Sequence, residues 1–172
     1  VAPGRLSGMT AEDGHAGDGE GGHARDDEDG HAGDDEDGTM DGATVRSCER
    51  CPDLVASRSR IVNGVGPADA ALVFLGEAPG ANEDERGEPF VGRSGSILDD
   101  ALRDAGLARP DVRITNCVRC RPPENRDPTR EELGNCRGYL ERELAHVDPE
   151  LVVTLGKVPS EHLLDRSVAV TK

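Results

Sequence analysis

The chain of 172 residues has no tryptophan, only two Phe and one Tyr, and only two lysines, so arginine supplies nearly all of its positive charge. No apolar run approaches the ~18 residues of a membrane-spanning helix, and no apolar signal-peptide core follows the N-terminus. These absences exclude a membrane-spanning protein. We therefore expect a cytoplasmic protein with one domain of ordinary size, no membrane contact and a monomeric state. The arginines suit phosphate and planar polar partners, because each guanidinium donates two hydrogen bonds at once.

The negative charge is concentrated at the start of the chain. Residues 1–44 hold 13 acidic and two basic side chains, whereas residues 45–172 hold 22 acidic and 18 basic ones. The first segment lacks a hydrophobic pattern and repeats Gly-His-Ala every eight residues. A His/Asp metal-binding tract is one interpretation, but the composition favours a disordered acidic tail that buries too little apolar surface to fold. We therefore predict a tail at 1–44, a folded domain at 45–172, and Met40 as a candidate translation start.

Strands and helices alternate along the predicted domain. Continuous apolar runs predict buried strands at 70–75, 112–115 and 151–155. Apolar residues at helical spacing and capping signals predict helices at 96–105, from Thr129 to about His146, and at 156–164. This order predicts a parallel sheet covered by helices, with ligands at the carboxyl ends of its strands.

Two of those strand ends carry side chains suited to a flat polar ring. The loop from Gly76 to Gly95 is rich in glycine and contains Phe90, one of the two Phe of the chain. Phe90 either packs onto the core or forms a platform for a planar ring. Asn116 ends the second strand, where it is either a turn former or a reader of the adjacent carbonyl and N–H of a base such as uracil.

The five cysteines allow two groupings. One uses Cys48, Cys51, Cys117 and Cys120 as two Cys-x-x-Cys pairs of a zinc ribbon. The other replaces Cys117 by Cys136. In the first grouping, 65 residues separate Cys51 from Cys117, which is far more than the roughly 15–20 residues between zinc-ribbon pairs. Four thiolates that do not form two closely spaced Cys-x-x-Cys pairs also fit an iron–sulfur cluster. Both groupings therefore stay open on spacing alone.

Three motifs, GEAPGANEDERGEPFVGRSG, ITNCVRCRPPENRDP and CRGYLERE, occur in this order. Together they resemble the family 4 uracil-DNA glycosylases, from about Arg46 to the end of the chain. The resemblance implies an α/β fold, a three-layer αβα sandwich with a mainly parallel central sheet. It also implies uracil-containing DNA as the partner, uracil excision at the start of base excision repair, and a 4Fe–4S cluster. The cluster ligands would be four cysteines: Cys48, Cys51, Cys120 and Cys136.

The same resemblance assigns the remaining roles. Phe90 would stack on the flipped uracil and Asn116 would bind its polar edge, with Gly76 and Ala78 beside them. Catalytic roles would belong to three polar residues, Glu77, Glu83 and Asn125. Glu83 would also be linked with Asn125. Arginines around the cysteine motif would contact DNA phosphates: Arg119, Arg121 and Arg126.

The sequence departs from the family pattern at three points. The N-terminal tail is not part of the family's core. Cys117 stands where the family has an apolar residue, so we expect a buried bystander. The family continues beyond the position of Lys172 to a further strand and a His-Pro-Ser-type motif whose His binds uracil. We therefore expect a fold that is incomplete at its C-terminus and little glycosylase activity from these 172 residues. The alternative function is a non-catalytic iron–sulfur or zinc module that binds nucleic acid or a protein partner.

Overall fold

The computed structural model describes residues 43–169. The predicted acidic tail as far as residue 42, its Gly-His-Ala repeat and Met40 lie outside the described residues. Within these residues the domain has eight α-helices and β-strands in this order: α1 (Pro52–Ser57), β1 (Leu72–Gly76), α2 (Ala81–Arg86), α3 (Arg93–Asp104), β2 (Arg113–Asn116), α4 (Arg130–Val147), β3 (Leu151–Thr154) and α5 (Lys157–Leu164).

All three predicted strands and the three longer helices are present, with boundaries that shift by a few residues. The short helices α1 and α2 were not predicted. α2 lies inside the predicted loop, between Gly80 at its N-terminal cap and Gly87, whose φ of 79° ends the helix in the left-handed conformation. Because glycines and prolines are frequent on both sides of α2, the sequence pattern did not predict this helix of about one and a half turns.

The three strands form a parallel sheet with β1 in the centre, in the order β2-β1-β3. The register pairs Gly76 with Asn116, so the carboxyl ends of β1 and β2 lie level with each other. The loop after β1 and the loop after β2 therefore begin side by side, which is what a site built from both loops requires.

Helices cover both faces of this sheet. Phe74 of β1 packs in one apolar cluster with Leu98 and Leu102 of α3. Its neighbour Leu75 points to the opposite face and packs with Leu140 of α4, because successive side chains of a strand alternate between faces. The result is three layers, and the predicted αβα sandwich is confirmed. No helix within residues 43–169 is long and apolar enough to cross a membrane.

A buried ionic network joins β2 to α4. Glu143, 1% exposed, accepts hydrogen bonds from Arg113 Nε at 2.7 Å, from Thr115 Oγ1 at 2.9 Å, and from the guanidinium of Arg119. Burial raises the pKa of Glu143, but the two guanidinium groups outweigh it and hold that pKa below the usual value. Arg119 is itself 1% exposed, so the prediction that it contacts DNA phosphate is wrong.

Candidate active site and cysteine centre

A cavity of about 530 Å³ opens at the carboxyl ends of β1 and β2. This volume lies in the range of about 300–1,000 Å³ that is usual for small-molecule sites. The wall combines predicted uracil-pocket residues with apolar side chains from β1, from α3 and from the residue that follows β3. The lining residues are Phe74, Glu77, Ala78, Gly80, Glu83, Phe90, Ser94, Ile97, Leu98, Ala101, Asn116 and Leu155. The fold thus brings together five of the predicted site residues that lie far apart in sequence, and Gly76 adjoins two of them.

Gly76 brings the aromatic ring and the carboxamide into contact with the end of β1. A Cβ atom at this position would lie 2.5 Å from two ring carbons of Phe90 and would also overlap Oδ1 of Asn116. The missing side chain therefore creates the space in which these two groups meet.

Asn116 presents an unused acceptor. Its side chain is 2% exposed, and its Oδ1 accepts no hydrogen bond from any residue that the structure describes. Buried polar atoms are nearly always hydrogen-bonded, and an unpaired one costs about 1–3 kcal/mol. An N–H group of a ligand in the cavity would supply the missing donor.

Phe90 is held in a strained backbone conformation. Its φ is 56°, in the left-handed region that a bulky residue rarely adopts. Arg109 donates to the carbonyl oxygen of Pro89 at 3.3 Å and to that of Phe90 itself, and Asp99 accepts from Arg109 Nε at 2.6 Å. Sequence reasoning missed Arg109, because a single Arg before a Pro carries no functional signal.

Glu83 orders the loop on both sides of Phe90. Its carboxylate accepts three backbone N–H groups, those of Gly80 at 3.1 Å, Val91 at 3.0 Å and Gly92 at 2.8 Å. The side chain also lines the cavity. Glu83 therefore shapes the pocket by holding the backbone of the loop that carries Phe90.

Asn125 does not belong to this pocket. Its Oδ1 accepts from Arg121 Nε at 2.8 Å, the residue is exposed, and it does not line the cavity. The predicted link between Asn125 and Glu83 is therefore wrong. The three-ten turn at Pro123–Asn125 places it instead in contact with Arg121.

Glu77 is a second carboxyl group that lines the cavity. Burial, followed by the charge and the hydrogen bond of the Asp127 carboxyl group, raises the pKa of Glu77 to about 7. Near neutral pH the Glu77 carboxyl group is therefore protonated in a substantial fraction of the molecules. Asp127 was not predicted, although it lies within the quoted motif at Arg126-Asp127-Pro128.

The two remaining predicted phosphate-binding arginines differ in their surroundings. Arg126 makes a bidentate ion pair with Glu132, at 2.8 and 2.7 Å. Arg121 donates instead to the exposed and uncharged Asn125. Arg121 is therefore the better placed of the two to reach an external phosphate.

Four cysteines gather beside the loop after β2. Cys51 caps the start of α1, Cys48 lies three residues before it, Cys120 follows β2, and Cys136 lies in α4. Each interacts electrostatically with at least one of the others.

Each of these four sulfurs also accepts a hydrogen bond. The donors come from four different groups: Tyr139 Oη to Cys48, Asn135 Nδ2 to Cys51 (3.5 Å), Arg58 Nη1 to Cys120 (2.9 Å), and the Arg119 backbone N–H to Cys136. Such donors around sulfur are the usual surroundings of thiolates that bind metal.

Cys117 has different surroundings. It is fully buried in an apolar cluster with Leu75 and Leu140. Burial, with a smaller contribution from the charge of Glu77, raises the pKa of Cys117 to about 12, so its thiol is neutral. It faces Cys136 but packs as a small apolar side chain.

The spacing of the thiols argues against a single metal ion. Within residues 43–169, no three His, Cys, Asp or Glu side chains are arranged to hold one ion. An iron–sulfur cluster spaces its ligands more widely than zinc does, because each thiolate binds a different iron.

Comparison with known proteins agrees with this fold. A family model described as the uracil DNA glycosylase superfamily matches residues 63–171, so the chain belongs to that superfamily. It is 46% identical over 121 residues to the type-4 uracil-DNA glycosylase of Archaeoglobus fulgidus, covering 70% of this chain and 60% of that protein. It is 43% identical over 129 residues to the type-4 uracil-DNA glycosylase of Thermotoga maritima, covering 74% and 67%.

The similarity is greater to these type-4 enzymes than to a type-5 relative. A type-5 uracil-DNA glycosylase of Thermus thermophilus is 35% identical over 152 residues, with 70% of this chain and 69% of that protein covered. The chain spans about 60% of the length of the Archaeoglobus protein, and 56% of the type-4 enzyme of Saccharolobus solfataricus.

Proposed function

We propose that the cavity binds a uracil base flipped out of DNA and that the protein hydrolyses its N-glycosidic bond, the first step of base excision repair. The observation that carries the proposal is the buried Oδ1 of Asn116, which lacks a donor among the described residues. Uracil N3–H is such a donor, and the amide nitrogen of the same side chain can donate to the adjacent carbonyl. Cytosine presents an acceptor where uracil presents N3–H, so it would leave two acceptors facing each other.

The ring of Phe90 supports the same ligand. It lies at the strand end beside Asn116, where a planar base whose edge meets the carboxamide can stack on it. Stacking of a base on an aromatic side chain contributes about 1–3 kcal/mol. This offsets part of the few kcal/mol that base extrusion costs.

The chemistry follows from the groups around the bound base. As the N-glycosidic bond breaks, negative charge develops on the uracil ring and positive charge develops on the sugar. Oriented donors such as the Asn116 amide stabilise the uracil anion. Glu77, when ionised, is placed to orient the water that attacks the sugar, and Asp127 adjusts how readily Glu77 gives up its proton. Glu83 keeps the Phe90 loop in the conformation that stacks.

We propose that Cys48, Cys51, Cys120 and Cys136 hold a 4Fe–4S cluster. The hydrogen bonds to these sulfurs and the packing of Cys117 in an apolar cluster with Leu75 and Leu140 support this ligand set over the alternative that uses Cys117. When bound, the cluster supplies structural cross-linking between α1, the loop after β2 and α4. Arg121, near this loop, is then proposed to contact a DNA phosphate, as Arg residues commonly do.

The cluster assignment is tested by iron analysis of the purified chain and of single Cys variants. We expect a brown protein that absorbs near 400 nm. Cys117→Val should retain the iron, whereas Cys120→Ser and Cys136→Ser should lose it. A colourless wild type with one zinc would support the alternative zinc module and overturn the cluster assignment.

The activity is tested with single-stranded DNA containing one uracil, under single-turnover conditions that also register slow release. Abasic product is detected by alkaline strand cleavage, and binding of free uracil is measured by ligand NMR. We expect Asn116→Asp to abolish uracil binding and release, because a carboxylate places a second acceptor against the base. Equal uracil binding by wild type and Asn116→Asp would overturn the proposal.

We also propose that the protein acts as a monomer in the cytoplasm. The five cysteines within the described residues are all free thiols, as is usual in a reducing compartment. Light scattering of the purified chain tests the monomer, and immunolocalisation tests the compartment.

A further inference from the structure

Arg58 lies where the two halves of the cysteine centre meet. It directly follows α1, and its backbone N–H donates to Leu54 O at 2.9 Å. Leu54 is 2% exposed and anchors this short helix in the core. Cys51 immediately precedes the same helix, so α1 fixes the distance between Cys51 and Arg58.

The two arms of the Arg58 guanidinium contact two different parts of the centre. Nη1 donates to Cys120 Sγ at 2.9 Å, and Nη2 donates to the carbonyl oxygen of Cys48 at 2.7 Å. Cys120 lies 62 residues from Arg58 along the chain, whereas Cys48 lies 10 residues away. One side chain therefore sets the position of the second cysteine segment relative to the first.

The charge of Arg58 distinguishes it from the other donors. The sulfurs of Cys48, Cys51 and Cys136 meet a hydroxyl, an amide and a backbone N–H, all of which are neutral. Hydrogen bonds from a cation to an anion are shorter and about twice as strong as neutral ones. The bond to Cys120 is 2.9 Å, whereas the one to Cys51 is 3.5 Å.

We propose that Arg58 is a positioning residue for the iron–sulfur cluster. Its guanidinium holds the Cys120 sulfur and the Cys48 backbone in the arrangement that binds iron, and it balances negative charge on the Cys120 sulfur. This inference rests on the ligand set of the proposed function, but not on glycosylase activity. A lysine side chain at this position would carry the charge without the planar fork, so it would satisfy only one of the two contacts well.

The test compares the full 172-residue wild type with Arg58→Met, Arg58→Gln and Arg58→Lys. Arg60→Met is the matched control, since Arg60 is an exposed arginine two residues away. All proteins are purified without oxygen, and iron release to a ferrous chelator is followed with time. Substitution of residues around metal ligands typically weakens metal binding about 10- to 100-fold. We expect iron release from Arg58→Met and Arg58→Gln to accelerate within this range, an intermediate rate for Arg58→Lys, and the wild-type rate for Arg60→Met.

Visible circular dichroism and the iron–sulfur stretching frequencies separate positioning from general destabilisation. Arg58→Lys should shift both while its far-ultraviolet spectrum and urea unfolding match the wild type. If Arg58→Met fails to fold, Arg58→Gln takes its place under the same criteria. If a folded Arg58→Met or Arg58→Gln protein released iron at the wild-type rate and had the wild-type cluster spectra, this inference would be overturned. The cluster assignment would still stand. A wild type without iron would overturn the cluster assignment, and this inference with it.

Discussion

The ring of Phe90 lies directly against the Cα of Gly76, with two ring carbons only 2.5 Å from the place that a Cβ would occupy. The same Cβ would overlap the Asn116 carboxamide. Phe90, the proposed stacking platform, and Asn116, the proposed base-reading residue, therefore share one small space, and the absence of a side chain at Gly76 keeps it open.

Gly76→Ala should displace Phe90 and Asn116 from the site. We expect uracil binding to fall below detection by ligand NMR, with a loss of uracil release from single-stranded DNA, because neither group has room to shift without leaving the base. The matched control is Gly134→Ala in α4, where an added Cβ meets nothing within 4 Å. This control should retain uracil binding and gain about 0.5–1 kcal/mol in the free energy of unfolding. Undiminished uracil binding in Gly76→Ala would contradict the assigned pocket.

Arg109→Met should release the Phe90 loop. The left-handed conformation of Phe90 costs about 1–3 kcal/mol, and the contacts from Arg109 to the carbonyl groups of Pro89 and Phe90 offset that cost. We expect faster hydrogen exchange at Val91 and weaker uracil binding, by up to about 100-fold. The matched control is Arg103→Met, which removes an exposed ion pair with Asp100 on α3. It should change neither hydrogen exchange at Val91 nor uracil binding. Unaltered exchange at Val91 would show that the loop holds Phe90 without Arg109.

The rate of uracil release should depend on the ionisation of Glu77. Burial and the facing Asp127 raise its pKa to about 7, so the active carboxylate accumulates only as the pH rises through about 7. Cys117, which also faces Glu77, stays neutral over this range. We expect Asp127→Asn to move the acid limb of the pH–rate profile to lower pH, since a negative charge beside Glu77 is removed. Asp100→Asn, an exposed control on α3, should leave the profile in place. An unmoved acid limb in Asp127→Asn would separate Asp127 from the catalysis.

Glu143→Gln should lower the free energy of unfolding sharply. The substitution leaves the guanidinium groups of Arg113 and Arg119 buried without their counter-charge. Removal of one partner from a buried ion pair costs about 3–5 kcal/mol. Glu141→Gln breaks an exposed pair with Arg137 and should cost less than about 1 kcal/mol. Urea unfolding measures both, and similar losses in the two variants would contradict the assigned network.

The sequence was sufficient to predict the strands in their order along the chain and the convergence of Phe90 and Asn116. Apolar runs report burial on both faces of a parallel strand, and topology then brings strand ends together. The sequence was insufficient to predict that Arg119 is buried. An arginine in a loop rich in arginines looks like a phosphate contact, and only the fold shows that Glu143, 24 residues later, buries its charge. The role of Asn125 was mispredicted for a similar reason, since only the fold shows that the turn with left-handed residues at Glu124 and Asn125 pairs Asn125 with Arg121.

The residues that sequence reasoning missed act on other groups rather than on the ligand. Arg109 binds backbone carbonyls, Asp127 acts on a carboxyl group, and Arg58 acts on a sulfur. Such roles depend on three-dimensional proximity, and no local spacing or composition encodes them.

The placement of the four thiols has a consequence for assembly of the protein. Cys51 precedes β1, and Cys120 follows β2, so the segment from 52 to 119 contains two of the three described strands and most of the cavity wall. A cluster bound at both ends would convert this segment into a closed ring and reduce the number of conformations open to the unfolded chain. Iron supply would then set how much of the newly made protein reaches its folded form, before any question of repair arises.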